Sequence, residues 1–320
     1  MAQLGGALMG LLALGLSAVP AGTEPLSHGM WVTRTVDLLN QDPNADSLLG
    51  FSMAFGISEV YLAVGSNALT DVRLPNFVAH VKDRGLRVEA LIDCSGRSEC
   101  QMGTWSTRIQ QVKDYNQGRP GDQSFDGVHL DLEPWVGTGD DYSWVPDLIS
   151  YYQQASSALE GSGLTLAADV SGTKVTNDQV QPADRQALLD AATRLVLLEF
   201  VVSSVDQVFQ RVDAFRNTVD LSNAFFLVAT RVVDFGASNN CQNRCVLDQI
   251  EAQYAGTLGY AGWATFRYID YNDPSICPGD CCLVCTPPAA GFDPAVVAGR
   301  RAIRCSAPRR LWNPQSETGF

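Results

Sequence analysis

Two carboxylates stand two positions apart in the stretch of this chain that is best suited to chemistry. The stretch begins at Phe125, ends at Trp135 and reads Phe-Asp-Gly-Val-His-Leu-Asp-Leu-Glu-Pro-Trp. Its apolar and polar residues alternate, which is typical of a β-strand. Asp131 and Glu133 would then lie on one side of the strand, about 6.6 Å apart by the rise per residue. Carboxylates at this separation compete for a proton, so one of them can act as an acid.

A strand followed by a helix recurs along the chain and would position this pair. We predict strands at Met30–Arg34, Glu59–Gly65, Arg87–Asp93, Gly127–Glu133, Leu164–Val170, Leu195–Val201, Phe225–Arg231 and Gly262–Tyr268. We predict helices at Ser47–Phe55, Leu74–Arg84, Thr104–Tyr115, Asp141–Leu159, Pro182–Arg194, Val205–Thr218, Leu247–Leu258 and Asp293–Arg304. Eight such units favour an α/β fold, a closed (β/α)8 TIM barrel with a single catalytic domain over residues 22–308.

The fourth predicted strand has two unlike faces. Its apolar face, which we expect beneath the helices, consists of Val128, Leu130 and Leu132. Its other face, which we expect inside the barrel, consists of Gly127, His129, Asp131 and Glu133. Burying such polar groups costs free energy unless they are paired or do chemistry. Glu133 ends the strand, where barrel enzymes place catalysis, so we assign it as the proton donor and Asp131 as its partner.

Further candidates fall at the ends of the predicted strands, where a polyhydroxylated ligand would meet them. The polar candidates for substrate binding are His129, Arg34, Asp93, Asp169, Glu199, Arg231 and Arg267. A structural network in which the arginines neutralise the carboxylates is the alternative. The aromatic candidates are Trp31, Trp135 and Trp263, because an indole can lie on the apolar face of a sugar ring. Core packing is the alternative for Trp31 and Trp263.

Charge and the N-terminal residues limit where the protein works. The net charge is −13, so no basic stripe is available for phosphates, and we expect neither nucleic acid nor an anionic membrane as partner.

Residues 4–19 are apolar and small, and Val19-Pro20-Ala21 resembles a cleavage site. We therefore predict a signal peptide over residues 1–21 and a secreted, extracellular protein without a membrane span after cleavage. An uncleaved anchor is the alternative. We expect a monomer with a loose tail at residues 309–320.

The nine cysteines fit an oxidising compartment. They cluster after three predicted strands: Cys94 and Cys100, then Cys241 and Cys245, then Cys277, Cys281, Cys282 and Cys285, with Cys305 in the last helix. We predict disulfides that stiffen these cysteine-rich βα loops around the mouth of the barrel. A zinc knuckle at residues 277–285 is the rival. We expect no catalytic metal and no cofactor, because His28 and His80 do not cluster with acids.

The segment Asp126-Gly-Val-His-Leu-Asp-Leu-Glu133 resembles the D-x-x-D-x-D-x-E motif of glycoside hydrolase family 18, the chitinase class. It is also similar to secreted barrels that carry G-[IV]-H-L-D-[ILV]-E-P. The resemblance implies a retaining, substrate-assisted hydrolysis, with Glu133 as general acid and Asp131 orienting the N-acetyl group of the substrate. The chain departs from the family at His129, where the family has an aspartate, and at Phe200, where a tyrosine is usual.

Three functions remain open from the sequence. The first is a secreted glycoside hydrolase that cleaves an oligosaccharide or polysaccharide. The second is a non-catalytic carbohydrate-binding barrel, a chitinase-like lectin, which the departures at His129 and Phe200 favour. The third is a cysteine-rich extracellular interaction protein that uses the barrel as a scaffold, because barrels host many unrelated functions.

Overall fold

Eight parallel strands close into a barrel in chain order, which confirms the predicted (β/α)8 TIM-barrel fold. The computed structural model describes residues 26–65, 67–202, 204–231 and 240–266, with side chains omitted at residues 240–243. The strands are β1 Ser27–Val32, β2 Glu59–Ala63, β3 Arg87–Ser95, β4 Gly127–Glu133, β5 Thr165–Ser171, β6 Arg194–Leu198, β7 Phe225–Arg231 and β8 Tyr260–Phe266. Pairing of β8 with β1 closes the barrel.

Helices follow the strands along the described chain. They are α1 Thr35–Gln41, α2 Asp46–Phe55, α3 Leu74–Asp83, α4 Arg97–Gln101, α5 Thr104–Asn116, α6 Val145–Leu159, α7 Gly172–Val175, α8 Pro182–Ala191, α9 Val205–Arg216 and α10 Asn240–Tyr254, with a short 3-10 helix at Gly121–Gln123. The short helices α1, α4 and α7 were not predicted. Within the described ranges, no helix combines the length and apolar composition that crossing a bilayer requires.

Several predicted boundaries differ from the structure, and three of these differences have local reasons. The sixth strand ends at Leu198 and cannot reach its predicted end at Val201, because Val201 has a φ of 58°, which is not an extended conformation. The helix predicted from Asp141 begins at Val145, where a proline in the first turn fixes φ. The first strand begins at Ser27 and includes Gly29, whose missing Cβ leaves room for the Tyr61 ring. Small residues at the start of this strand hide its β pattern.

The two faces of β4 have the predicted environments. Val128, Leu130 and Leu132 are fully buried in the apolar layer of the protein. Pairing with β3 places Asp93 opposite Asp131, and Ser95 opposite Glu133. The C-terminal ends of these two strands therefore bring their polar side chains to one mouth of the barrel.

A disulfide joins Cys94, in β3, to Cys100, in α4, across one of the three loops in which disulfides were expected, although no pairing was predicted. Cys245, in α10, is also disulfide-bonded. The side chains of Cys241, Cys277, Cys281, Cys282, Cys285 and Cys305 lie outside the described residues, as do the predicted helix Asp293–Arg304, the signal peptide over residues 1–21 and the tail over residues 309–320.

Candidate active site

A buried ion network fills the N-terminal end of the barrel interior. Arg194, the first residue of β6, donates to Glu59 Oε2 at 2.8 Å and to Glu89 Oε1 at 2.7 Å. Arg87, the first residue of β3, donates to Glu89 Oε1 at 3.0 Å. Burial alone would raise the pKa of Glu89, but Arg194, His129 and Arg87 hold it at about 2. This layer is charged and fully paired, so it forms a rigid floor beneath the site.

His129 lies above this floor as a cation held between two carboxylates. Its Nε2 donates to Asp169 Oδ1 at 2.8 Å, and its Nδ1 faces Glu89 Oε2 at 3.3 Å. Burial would lower the pKa of the imidazole, but Asp169 and Glu89 raise it to about 10. The Tyr61 and Trp31 rings pack on the imidazole with centroids at 3.9 and 5.4 Å. His129 is therefore a positively charged part of the barrel core.

Three acids lie between His129 and the mouth: Asp131, Glu133 and Asp169. Burial, followed by the charges of Asp169 and Glu133, raises the pKa of Asp131 well above its ordinary value. Burial and the charge of Asp169 also raise the pKa of Glu133, although the cation of Arg231 opposes this. Burial raises the pKa of Asp169 despite its bond with His129. The acids around this space outnumber the two cations that oppose them, His129 and Arg231, which favours retention of protons.

Polar atoms without partners mark the space between these acids. Asp131 Oδ1, Asp169 Oδ2 and Trp31 Nε1 are buried, and none has a hydrogen-bond partner of good geometry among the described residues. The Trp31 indole and Asp131 nevertheless lie close enough to Asp169 to lower its pKa by hydrogen bonding. A polar group entering this recess would meet donors and acceptors that are already desolvated.

The rim of the mouth combines polar and aromatic side chains. Asp93 lies near the C-terminal end of β3 opposite Asp131 and is exposed. Arg231, the last residue of β7, lies over the Phe200 ring at 4.9 Å. Phe200 also packs against Phe266, the last residue of β8, with centroids 5.7 Å apart. The rim thus offers the carboxylate of Asp93, the guanidinium of Arg231 and an apolar aromatic surface around the buried carboxylates.

The other predicted polar residues lie away from the acids or outside the described chain. Arg34 is exposed after β1 and pairs with Asp37 at 2.6 Å. Glu199 is fully buried behind the barrel wall, where Arg211 of α9 donates to it at 3.3 Å. Burial raises the pKa of Glu199 to about 8, and Arg211 opposes this. Arg267 lies outside the described residues.

Of the three tryptophans, only Trp31 reaches the interior of the barrel. Trp135 is 7% exposed and packs edge-to-face on Trp144 at 5.3 Å, so it belongs to the core rather than to the predicted pocket rim. Trp263 lies on the outer face of β8, where it stacks on His28 at 4.2 Å and donates to Glu251 of α10. The barrel wall separates it from Asp131, so core packing is its role.

Sequence reasoning missed the charged floor of Glu59, Glu89 and Arg194. The signal was present in β2 and β3, where Glu59 and Glu89 alternate with the apolar residues of the outer face. Arg194 was assigned to a helix end, although it begins β6. No cluster of three or more metal-binding side chains occurs within the described ranges.

No protein-family model and no curated protein matches the sequence. Several solved structures share the fold. A family 18 chitinase from Pseudoalteromonas aurantia has a TM-score of 0.54 at 12% identity, covering 80% of this chain and 99% of that one. A chitinase from Chromobacterium violaceum has a TM-score of 0.50 at 12% identity, covering 76% and 94%.

A third similar structure is β-glucuronidase 2 from Bacteroides uniformis, with a TM-score of 0.53 at 9% identity. The match covers 76% of this chain and 30% of that protein. At such low identity these similarities establish the fold alone. The chain is thus a (β/α)8 barrel of a shape that occurs among glycoside hydrolases.

Proposed function

We propose that this protein is a secreted glycoside hydrolase in which Glu133 protonates the glycosidic oxygen. The supporting observation is the position of Glu133 at the open end of β4, half-buried, with a pKa raised by burial and by the charges of Asp169 and Asp93. A general acid must hold its proton at the working pH and lie where a substrate can reach it. The raised pKa and the position of Glu133 at the open end of β4 both favour this role, and the barrel fold shared with solved glycoside hydrolases supports the class of reaction.

Asp131 is the proposed partner of Glu133. It lies one inner position deeper on the same strand, and its Oδ1 has no described hydrogen-bond partner. An oxygen at that depth can hold a polar group of the sugar next to the bond that breaks. We further propose that Asp93 and Arg231 contact sugar hydroxyls and that the Phe200 and Phe266 rings contact the apolar face of the sugar.

The test is product release from the full secreted chain on a panel of polysaccharides and oligosaccharides, measured as reducing ends. We expect Glu133→Gln to remove turnover, because the amide cannot donate the proton, while glycan binding remains. Glu160→Gln is the matched control, because Glu160 is exposed at the far end of α6. Equal rates for Glu133→Gln and Glu160→Gln would refute the proposed role.

A carbohydrate-binding barrel without catalysis is the second candidate. It is favoured by His129, which lies in an ion pair where the resembled family has an aspartate, and by Phe200, which lacks a hydroxyl. This candidate predicts glycan retention on an array, no product, and no change in affinity in Glu133→Gln. Absence of any glycan affinity would instead favour an interaction protein. Sequencing the N-terminus of the secreted chain tests the proposed cleavage after Ala21.

A further inference from the structure

Asp169 is a fully buried acid that the proposed reaction does not use. It lies in β5, and only one of its two oxygens has a hydrogen-bond partner among the described residues. That oxygen, Oδ1, accepts from His129 Nε2 at 2.8 Å. The imidazole in turn faces Glu89, which is paired with Arg194. Asp169 is therefore the last member of a series of alternating charges. The series begins at Arg194 in the barrel floor and continues through Glu89 and His129 toward the mouth.

The second oxygen of Asp169 faces the candidate active site. Asp169 Oδ2 and Asp131 Oδ1 are both buried without a described donor, and the Trp31 indole lies beside them. Two carboxylate oxygens in such a recess repel each other unless one of them bears a proton. His129 already neutralises Asp169 directly, whereas Asp131 has no comparable contact. The proton is therefore more favourable on Asp131.

The charged groups around this recess agree with that placement. From β4 and β3, Glu133 and Asp93 add negative charge, and from β7 the cation of Arg231 faces Glu133. From α6, Tyr152 donates its hydroxyl to the backbone carbonyl of Asp169. Burial and the nearby acids raise the pKa of Tyr152 well above its ordinary value, so this residue stays neutral. Among the described groups that face Asp131, acids outnumber cations.

We propose that Asp169 is a positioning residue of the proposed active site: the His129 imidazolium holds it as a carboxylate, and its second oxygen keeps a proton on Asp131. The protonation of Asp131 does not depend on the proposed function; only the effect of Asp169 on catalysis rests on it. The negative charge of Asp169 also strengthens proton retention by Glu133, so Asp169 acts on both active-site acids. Asp131 then presents a neutral acid, oriented by Asp169, beneath the proton donor.

Infrared titration of the full chain tests the proton assignment without requiring activity. Wild type should show a protonated-carboxyl band at pH 7 that Asp131→Asn removes. In Asp169→Asn, the proton of Asp131 should be lost at a pH lower by about one unit or more, because a neighbouring negative charge is gone. Asp122→Asn, at an exposed position in the 3-10 helix, should leave the band unchanged. No Asp131 band at pH 7, or no shift in Asp169→Asn, would overturn the inference.

A measurement on wild type covers the case in which Asp169→Asn does not fold. Imidazole nitrogen chemical shifts, assigned with His129→Gln, should show the imidazolium of His129 at pH 7. A neutral ring would overturn the inference, because no imidazolium would then hold Asp169 as a carboxylate.

The catalytic consequence has a separate readout. If the protein is a hydrolase, the basic limb of its kcat/KM profile should move to lower pH in Asp169→Asn and stay in place in Asp122→Asn. A basic limb that stays in place would contradict the catalytic role of Asp169. Absence of hydrolysis by wild type would reject the proposed function, and the infrared result would still decide the protonation of Asp131.

Discussion

Replacing His129 with glutamine should destabilise the protein by an amount that depends on pH. The pKa of His129 stands at about 10, against 6.5 for an ordinary histidine. At about 1.4 kcal/mol per tenfold change, the surroundings favour the imidazolium by roughly 5 kcal/mol, which is an upper limit for the lost charge. His129 is fully buried, so solvent does not screen this interaction. Glutamine keeps a donor for Asp169 and removes the charge.

In His129→Gln, Asp169 loses the cation beside it, whereas Glu89 keeps Arg194 at 2.7 Å and Arg87 at 3.0 Å. Asp169 can escape by taking up a proton, so we expect a cost of about 3 kcal/mol at pH 7, the low end for a broken buried pair. In the variant, burial keeps the folded pKa of Asp169 above its unfolded value. Its contribution to stability is then present at low pH and lost as the pH rises.

Wild type loses the His129 contribution only as the pH rises from about 6.5 through about 10. The difference in the free energy of unfolding between wild type and His129→Gln should therefore be smaller at pH 5 than at pH 7. Urea denaturation at both values measures it, with His80→Gln at an exposed site of α3 as the control. The double variant His129→Gln/Asp169→Asn should recover part of the loss. A cost that matches His80→Gln, or one independent of pH, would refute this reasoning.

Two further changes probe the floor and the rim of the barrel. Arg194→Met should cost about 3 to 5 kcal/mol in urea denaturation, because Glu59 keeps only Arg87 at 4.0 Å as a described cation; a cost below about 1 kcal/mol would show that the network is dispensable. Replacing Cys94 and Cys100 together with serine should lower stability by about 2 kcal/mol and the melting temperature by about 5 °C, because the bond closes a short loop. An unchanged melting temperature in calorimetry would contradict this.

The barrel was predictable because its signals are local. Each strand is a short apolar or alternating run, and the recurrence of eight runs specifies closure more firmly than any single boundary does. In β4, alternation alone assigned His129 to the interior and Leu130 to the outer layer, as the structure has them. Spacing also indicated that Cys94 and Cys100 flank one loop, although the sequence did not specify how the cysteines pair.

Long-range partners were not predictable. Arg194 pairs with Glu59 and Glu89 across 135 and 105 positions of sequence, and no local pattern records such a contact. The place of Trp135 depends on Trp144, which packs on it from the start of α6. The place of Trp263 likewise depends on α10, which supplies Glu251. Sequence spacing placed His129 inside the barrel but did not identify Asp169 and Glu89 as its partners.

The most direct measurement of the central claim compares two leaving groups in wild type and Glu133→Gln. One substrate is an oligosaccharide that the wild-type chain cleaves, and the other is the dinitrophenyl glycoside of the same sugar. The dinitrophenolate departs without a proton, so loss of a general acid should affect it little. We predict that Glu133→Gln slows the oligosaccharide by about 10²- to 10⁴-fold and the dinitrophenyl glycoside by less than about tenfold. Equal loss on both substrates, or cleavage of neither by wild type, would contradict Glu133 as the proton donor.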